Sequence, residues 1–196
     1  VSRGPRYRRT AETIRDSVLK ATGLLHREVG GPSVYPPQPA AVMALAYGGA
    51  TWSTSQGGDR YRRSLYTFKK RTAPFAASAI FDAPTGENCI ARRERSNTPL
   101  QSLTLLNDAM FLEMARSLAA EWTELPGDVS EKTRRLFRQI LVRPPQPDEH
   151  QQVLQFVQEQ RERLAADVGR SPQEVEQQAW FLTARALLNV DEFVAR

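Results

Sequence analysis

Apolar residues recur at three- and four-residue spacing through the second half of the chain, and that order breaks up in the first half. Leu103, Leu106, Met110, Met114 and Leu118 form one stripe, widened by Phe111 and Trp122, which predicts a central helix running from Pro99 to about Trp122. Thr98 is the expected N-cap, Pro99 suits a first turn that needs no N–H, and Gln101 is placed to return the capping bond. Further on, Pro126-Gly127-Asp128 predicts a turn, with Ser130 capping a helix that carries Leu136, Phe137, Ile140 and Leu141 and is closed by Pro144 and Pro145. Pro147 opens another helix, to about Ala166. Ser171 with Glu174 forms a capping box before a last helix bearing Val175, Trp180, Phe181, Leu187 and Leu188. These elements share no repeated sequence, which excludes a solenoid.

The first half gives weaker periodicity. Thr10 to about Thr22 predicts a helix with Ile14, Val18 and Leu19 inward, Arg15 and Asp16 outward, and Gly23 as its stop. Gly30 to Gly58 is rich in Gly, Pro and small residues and reads as a long excursion with one helical turn at Ala40 to Ala46. Its Tyr35, Tyr47 and Trp52 are expected to pack on the core, the other reading being a stacking surface for a sugar. Alternation of Leu65 and Thr67 with Tyr66 and Phe68 predicts a strand over Tyr61 to Thr72, and Ser78 to Phe81 and Asn88 to Ala91 are weaker strand candidates. The expected architecture is mainly α: a helical bundle with a small β element and a long Gly/Pro-rich excursion. It is read as one domain over 1–196, mixed in 1–95 and a bundle in 96–196.

Charge changes this picture locally. The whole chain carries a formal +5, but residues 60 to 95 alone carry +6. A basic segment of this kind suits nucleic acid, acidic lipid, a sulfated or carboxylated glycan or an acidic protein face, the other reading being a solvated surface interleaved with buried Leu65, Tyr66 and Phe68. Arg71, Arg92, Arg93, Arg95 and Asn97 are the candidate binding residues, because guanidinium groups pair bidentately with carboxylate, sulfate or phosphate and the N-terminus of the expected central helix follows them. The competing reading is a clasp in which Arg92, Arg93 and Arg95 pair with Asp82, Glu87 and Glu94. Arg3, Arg6, Arg8 and Arg9 form a basic arm at the start, and the arginine-rich opening without an initiator Met suggests a piece of something longer.

Other chemistry is sparse. Cys89 is the single cysteine, expected as a buried structural thiol; covalent haem attachment needs a C-x-x-C-H motif that the chain lacks, and His26 and His150 make a poor pair for haem or zinc. No metal or other cofactor is expected in this chain, and no catalytic residue is assigned. Asp82 with Glu87, or Asp108 with Glu113, are the carboxylate pairs a glycoside hydrolase would need. Asn97, Asn107 and Asp108 are read as caps or loop ties. No apolar run approaches the length of a membrane span, and basic and aromatic residues do not form a nucleic-acid motif.

Several segments resemble one family: Ala11 to Leu19 after Arg8-Arg9, Gly30 to Pro37, Arg62 to Pro74, Phe81 to Asp108, Leu136 to Glu149 and Ala186 to Phe193. The chain is similar to the planctomycete-specific domain of unknown function at the C-terminal end of large cytochrome-c-linked proteins. The resemblance implies an exported parent, hence a periplasmic or secreted location, with haem in an upstream module. It carries no established catalytic residues. The expected role is a non-catalytic interaction or docking module, associated with electron transfer carried elsewhere in the parent, whose partners are the preceding domains or an acidic protein. Part of a polysaccharide-degrading enzyme and an anionic-glycan-binding module are the alternatives.

Overall fold

A computed structural model describes residues 7–39, 42, 52–70 and 73–195. Among them are eight α-helices: α1 (Ala11–Ala21), α2 (Ala76–Ile80), α3 (Pro99–Asn107), α4 (Ala109–Glu124), α5 (Val129–Leu141), α6 (Pro147–Ala165), α7 (Pro172–Leu188) and α8 (Asp191–Val194). Helices α4 and α7 share the most extensive packing, α6 lies along α7, and α5 contacts both α6 and α7. Trp122 on α4 meets Trp180 on α7 with ring centroids 6.2 Å apart. Met114, Leu118, Leu136, Ile140, Val157 and Leu187 fill the same core, which α1 joins through Ile14, Val18 and Leu19.

Helix ends follow local hydrogen-bond needs. Thr10 Oγ1 accepts from the Thr13 amide at the start of α1, and Gly23 turns out of that helix at φ 72°. Ser171 accepts from Glu174 N, whose carboxylate in turn accepts from Ser171 N at 2.7 Å, as the capping box predicts. Asp128 caps α5 in place of the expected Ser130, accepting from Glu131 N at 2.7 Å. The expected central helix is two helices. Asp108 adopts extended backbone (ψ 135°) between them and its side chain accepts from Met110 N, capping α4. Leu103 is therefore exposed and Leu105 takes its place in the core. Thr98 stands at the start of α3 but its side chain makes no capping bond.

The expected β element is absent: the described residues contain no strand, only isolated bridges pairing Arg8 with Ala195, His26 with Arg62 and Val34 with Thr67. Over Tyr61 to Thr67 the backbone forms 3-10 turns at Gly57–Tyr61 and Ser64–Tyr66. Ser78 to Phe81 belongs to α2 and its end, and Asn88 to Ala91 is irregular. The physical reason lies in two arginines. Arg15, expected to face outward, is buried on α1 and donates to the carbonyls of Arg62 at 2.7 Å and Arg60 at 3.1 Å. Arg62 is 1% exposed, donates to the carbonyls of Gly30 and Pro32, and lies 3.9 Å from the Tyr66 ring centroid. Side-chain donors thus satisfy carbonyls that a ladder would otherwise engage. Burial pulls the Arg15 guanidinium down to about 10, with neighbouring Asp16 opposing it.

Candidate functional site

The arginine-bearing loop is latched at its base rather than clasped by its own acids. Asp82, at φ 58°, accepts from Ser96 N at 2.7 Å and from Ser96 Oγ. Fully buried Gln101 donates to Ile80 O and Ser96 Oγ, both at 3.0 Å, so the residue expected to cap α3 instead ties α3 to the end of α2. Between these points the chain is exposed, and Cys89, expected to be buried, is exposed with it.

Arg93 reaches across to α1 and donates to both oxygens of Glu12, at 2.8 and 3.1 Å. Burial works against the Glu12 carboxylate, but the Arg93 bond, helped by Glu12's own amide and the Thr10 hydroxyl, holds its pKa below the usual range. Arg95 lies over the ring of Tyr7, 5.1 Å from its centroid. Arg95 and Asn97 line a shallow surface pocket with Tyr7, Arg8 and Asp191, while Arg92 is exposed in the loop. Arg71 lies outside the described residues. The structure thus turns Arg93 to Glu12 at the start of α1 and Arg95 onto Tyr7 ahead of it, while Asn97 stays next to the Thr98 N-cap of α3.

Beside this junction opens a surface cleft of about 680 Å³ between α1, the Ser64–Tyr66 turn and the end of α5. Arg9, Lys20, Arg63 and Arg93 line it, against Glu12 and Asp16. Asp16 accepts from Ser64 N at 2.7 Å and faces Arg63 Nε at 3.4 Å, which holds the turn onto α1. Two exposed apolar side chains share the cleft: Leu65, 73% exposed, and Val142, 69% exposed. Val142 follows α5 at φ 60°. A β-branched residue is strained in that left-handed region, where helix ends favour glycine. Periodicity places Leu65 in an expected strand where the structure has a turn, and it does not mark Val142, which lies just past a helix.

The remaining candidates have structural partners. Glu113 takes a bidentate bond from Arg60 and one from the Tyr61 hydroxyl. The Arg60 bond leads in holding Glu113 below the usual carboxylate range, against burial. Asp108 caps α4, and burial pushes its pKa up against two backbone bonds. Neither proposed hydrolase pair therefore assembles as two unengaged carboxylates. Trp52 stacks on Phe75 at 6.0 Å and donates to Pro36 O, while Tyr35 packs against Trp52 and Phe68, as the core-packing reading expects; Tyr47 lies outside the described residues, as does the turn at Ala40 to Ala46 except Val42. His150 Nε2 meets Thr133 Oγ1 at 3.1 Å and Ser130 O at 3.0 Å. His26 instead sits with Glu28 and Asp59, the one group of three among the described residues with the side-chain types and spacing to hold a metal ion.

Residues 1–157 match the model of the PSD1 family, "Protein of unknown function (DUF1553)". The Ala186 to Phe193 piece of the resemblance lies beyond that span. No curated protein matches, and no solved structure does. No helix among the described residues is long and apolar enough to cross a membrane.

Proposed function

The chain belongs to this family, and from that premise we propose that it is a non-catalytic docking module whose partner surface is the cleft between α1, the Ser64–Tyr66 turn and the end of α5. The observation that carries this reading is Val142. It is apolar, exposed and held in left-handed backbone, a combination that folding alone disfavours and that local strain at a recognition surface explains. Leu65 gives the cleft a second apolar contact, and the cationic side chains around it favour an acidic partner. The partner in this reading is the preceding region of an exported, cytochrome-c-linked parent, so that haem and electron transfer belong to that region. Arg92, Arg93 and Arg95 extend the basic rim toward the loop, with the Asn97 amide beside them. Among the described residues, Tyr35 and Trp52 pack on each other and on Phe68 and Phe75, which favours docking over a sugar-stacking reading.

Calorimetric titration of the purified chain with the separately expressed preceding region tests the proposal. Binding should weaken by about tenfold or more on Leu65→Asp, a loss of about 1.4 kcal/mol or more, and should also weaken with added salt. An unchanged affinity in a variant with intact helical circular dichroism would remove the cleft from the interface.

A further inference from the structure

A separate constellation lies where the chain leaves α1 and where it returns from the Gly/Pro-rich excursion. His26 and Glu28 sit in the segment after α1, and Asp59 sits in the Gly57–Tyr61 turn. One imidazole nitrogen and one oxygen from each carboxylate lie within 4.8 Å of one another. Two further observations set this group apart from exposed charges that happen to be neighbours. His26 Nδ1 is shut off from solvent and has no hydrogen-bond partner, standing 3.9 Å from Glu28 Oε2. The ring as a whole is 43% exposed, so this nitrogen is a donor-atom candidate that no protein group uses. The second observation is Gly58, where a Cβ would stand 2.7 Å from Nδ1. Only glycine lets the imidazole edge lie this close to the turn that carries Asp59.

The surrounding backbone fixes the meeting point. His26 N donates to Tyr61 O at 3.1 Å, holding the two segments side by side. Arg62, anchored through the carbonyls of Gly30 and Pro32, places Nη1 4.0 Å from Asp59 Oδ1. That separation is long for a hydrogen bond and leaves the carboxylate able to take another partner.

We propose that His26, Glu28 and Asp59 form a binding site for a divalent transition-metal ion of the zinc type. One imidazole nitrogen with two carboxylate oxygens suits such an ion, whereas magnesium and calcium prefer oxygen donors throughout. A dipositive ion would offset both carboxylates and give the orphaned nitrogen its missing partner. Because Glu28 and Asp59 are exposed, the site faces solvent and keeps positions for water or an additional ligand. It also joins the two ends of the excursion, so occupancy stabilises the fold by linkage.

Equilibrium dialysis of the purified chain against zinc, with the metal read by mass spectrometry, should give about one bound equivalent. Glu28→Gln and Asp59→Asn, both at exposed positions, should each weaken binding by about tenfold or more and abolish the zinc-dependent rise in melting temperature. His150→Gln should leave binding unchanged. In proton–nitrogen NMR spectra zinc should shift the His26 ring and the Gly58 amide. Absence of binding, retention of full affinity in both carboxylate variants, loss of binding in the His150 variant, or equal binding of calcium would each overturn the assignment.

Discussion

The helices of residues 99–195 and the largely irregular described segments that precede Pro99 are held by different chemistry. In the former, Leu118, Trp180 and Val157 disappear completely from solvent and helix starts are closed by Asp108, Asp128 and Ser171. In the latter, two buried guanidiniums donate to backbone carbonyls of segments that have no ladder of their own. The difference teaches that irregular chain can be ordered from within by a few polyvalent donors. Arg15 alone reaches two carbonyls and a hydroxyl. Such order concentrates in single side chains, whereas an apolar core spreads it over many.

Substitutions in the two regions probe that contrast. Leu118→Ala should cost about 4 kcal/mol in urea denaturation through the cavity it opens. Arg15→Met keeps apolar bulk but strips the donors from Arg60 O and Arg62 O, and should cost about 3 kcal/mol. A neutral Arg15→Met would mean that packing rather than hydrogen bonding holds the irregular chain. Asp82→Ala should cost about 2 kcal/mol and speed tryptic cleavage after Arg92 and Arg93, because the loop loses its latch to Ser96.

Smaller effects sharpen the account of helix ends. Val142→Gly should raise stability by about 1 kcal/mol, measured as a higher denaturation midpoint, by releasing left-handed strain. Ser171→Ala should lower stability by about 1 kcal/mol, while Thr98→Ala should change it by less than about 0.5 kcal/mol because no side-chain capping bond is lost. The smallest effect concerns pH. Arg143, assisted by the Gln146 amide, holds Glu149 down to about 2 against its ordinary 4.5. A depressed carboxylate contributes its stability above its unfolded pKa and loses it as pH falls from about 4.5 toward about 2. Solvent screening keeps that contribution under about 1 kcal/mol, and Glu149→Gln should flatten this part of the stability–pH curve.

What the sequence made legible follows from where local rules decide. Pro147, Ser171 and the stripe through Met110, Met114 and Leu118 predicted helices that the structure contains, because periodicity and capping are properties of neighbouring residues. The strand expected at Tyr61 to Thr72 failed because alternation over a few residues also suits turns whose carbonyls are engaged from a distance. Arg15 offered a usable signal, since it shares a helical face with Ala11, Ile14 and Leu19; its charge argued for solvent, but a guanidinium can be buried when carbonyls receive it. Of the candidate arginines, Arg93 could be placed near a basic surface by composition, but its pairing with Glu12 depends on a contact across the fold. Gln101 shows the same limit: a fitting local partner existed in Thr98, and tertiary contacts supplied others.

The bond between Asp82 and Ser96 has a consequence for how this surface can change over time. With the two ends held together, the segment between them is a closed excursion whose length is decoupled from the helices on either side. Doubling such a loop adds only about 0.6 kcal/mol of closure entropy. A change of length or charge beyond the latch would therefore leave α2 and α3 in register, so the contacts of residues 83 to 95 can be altered without rebuilding the fold.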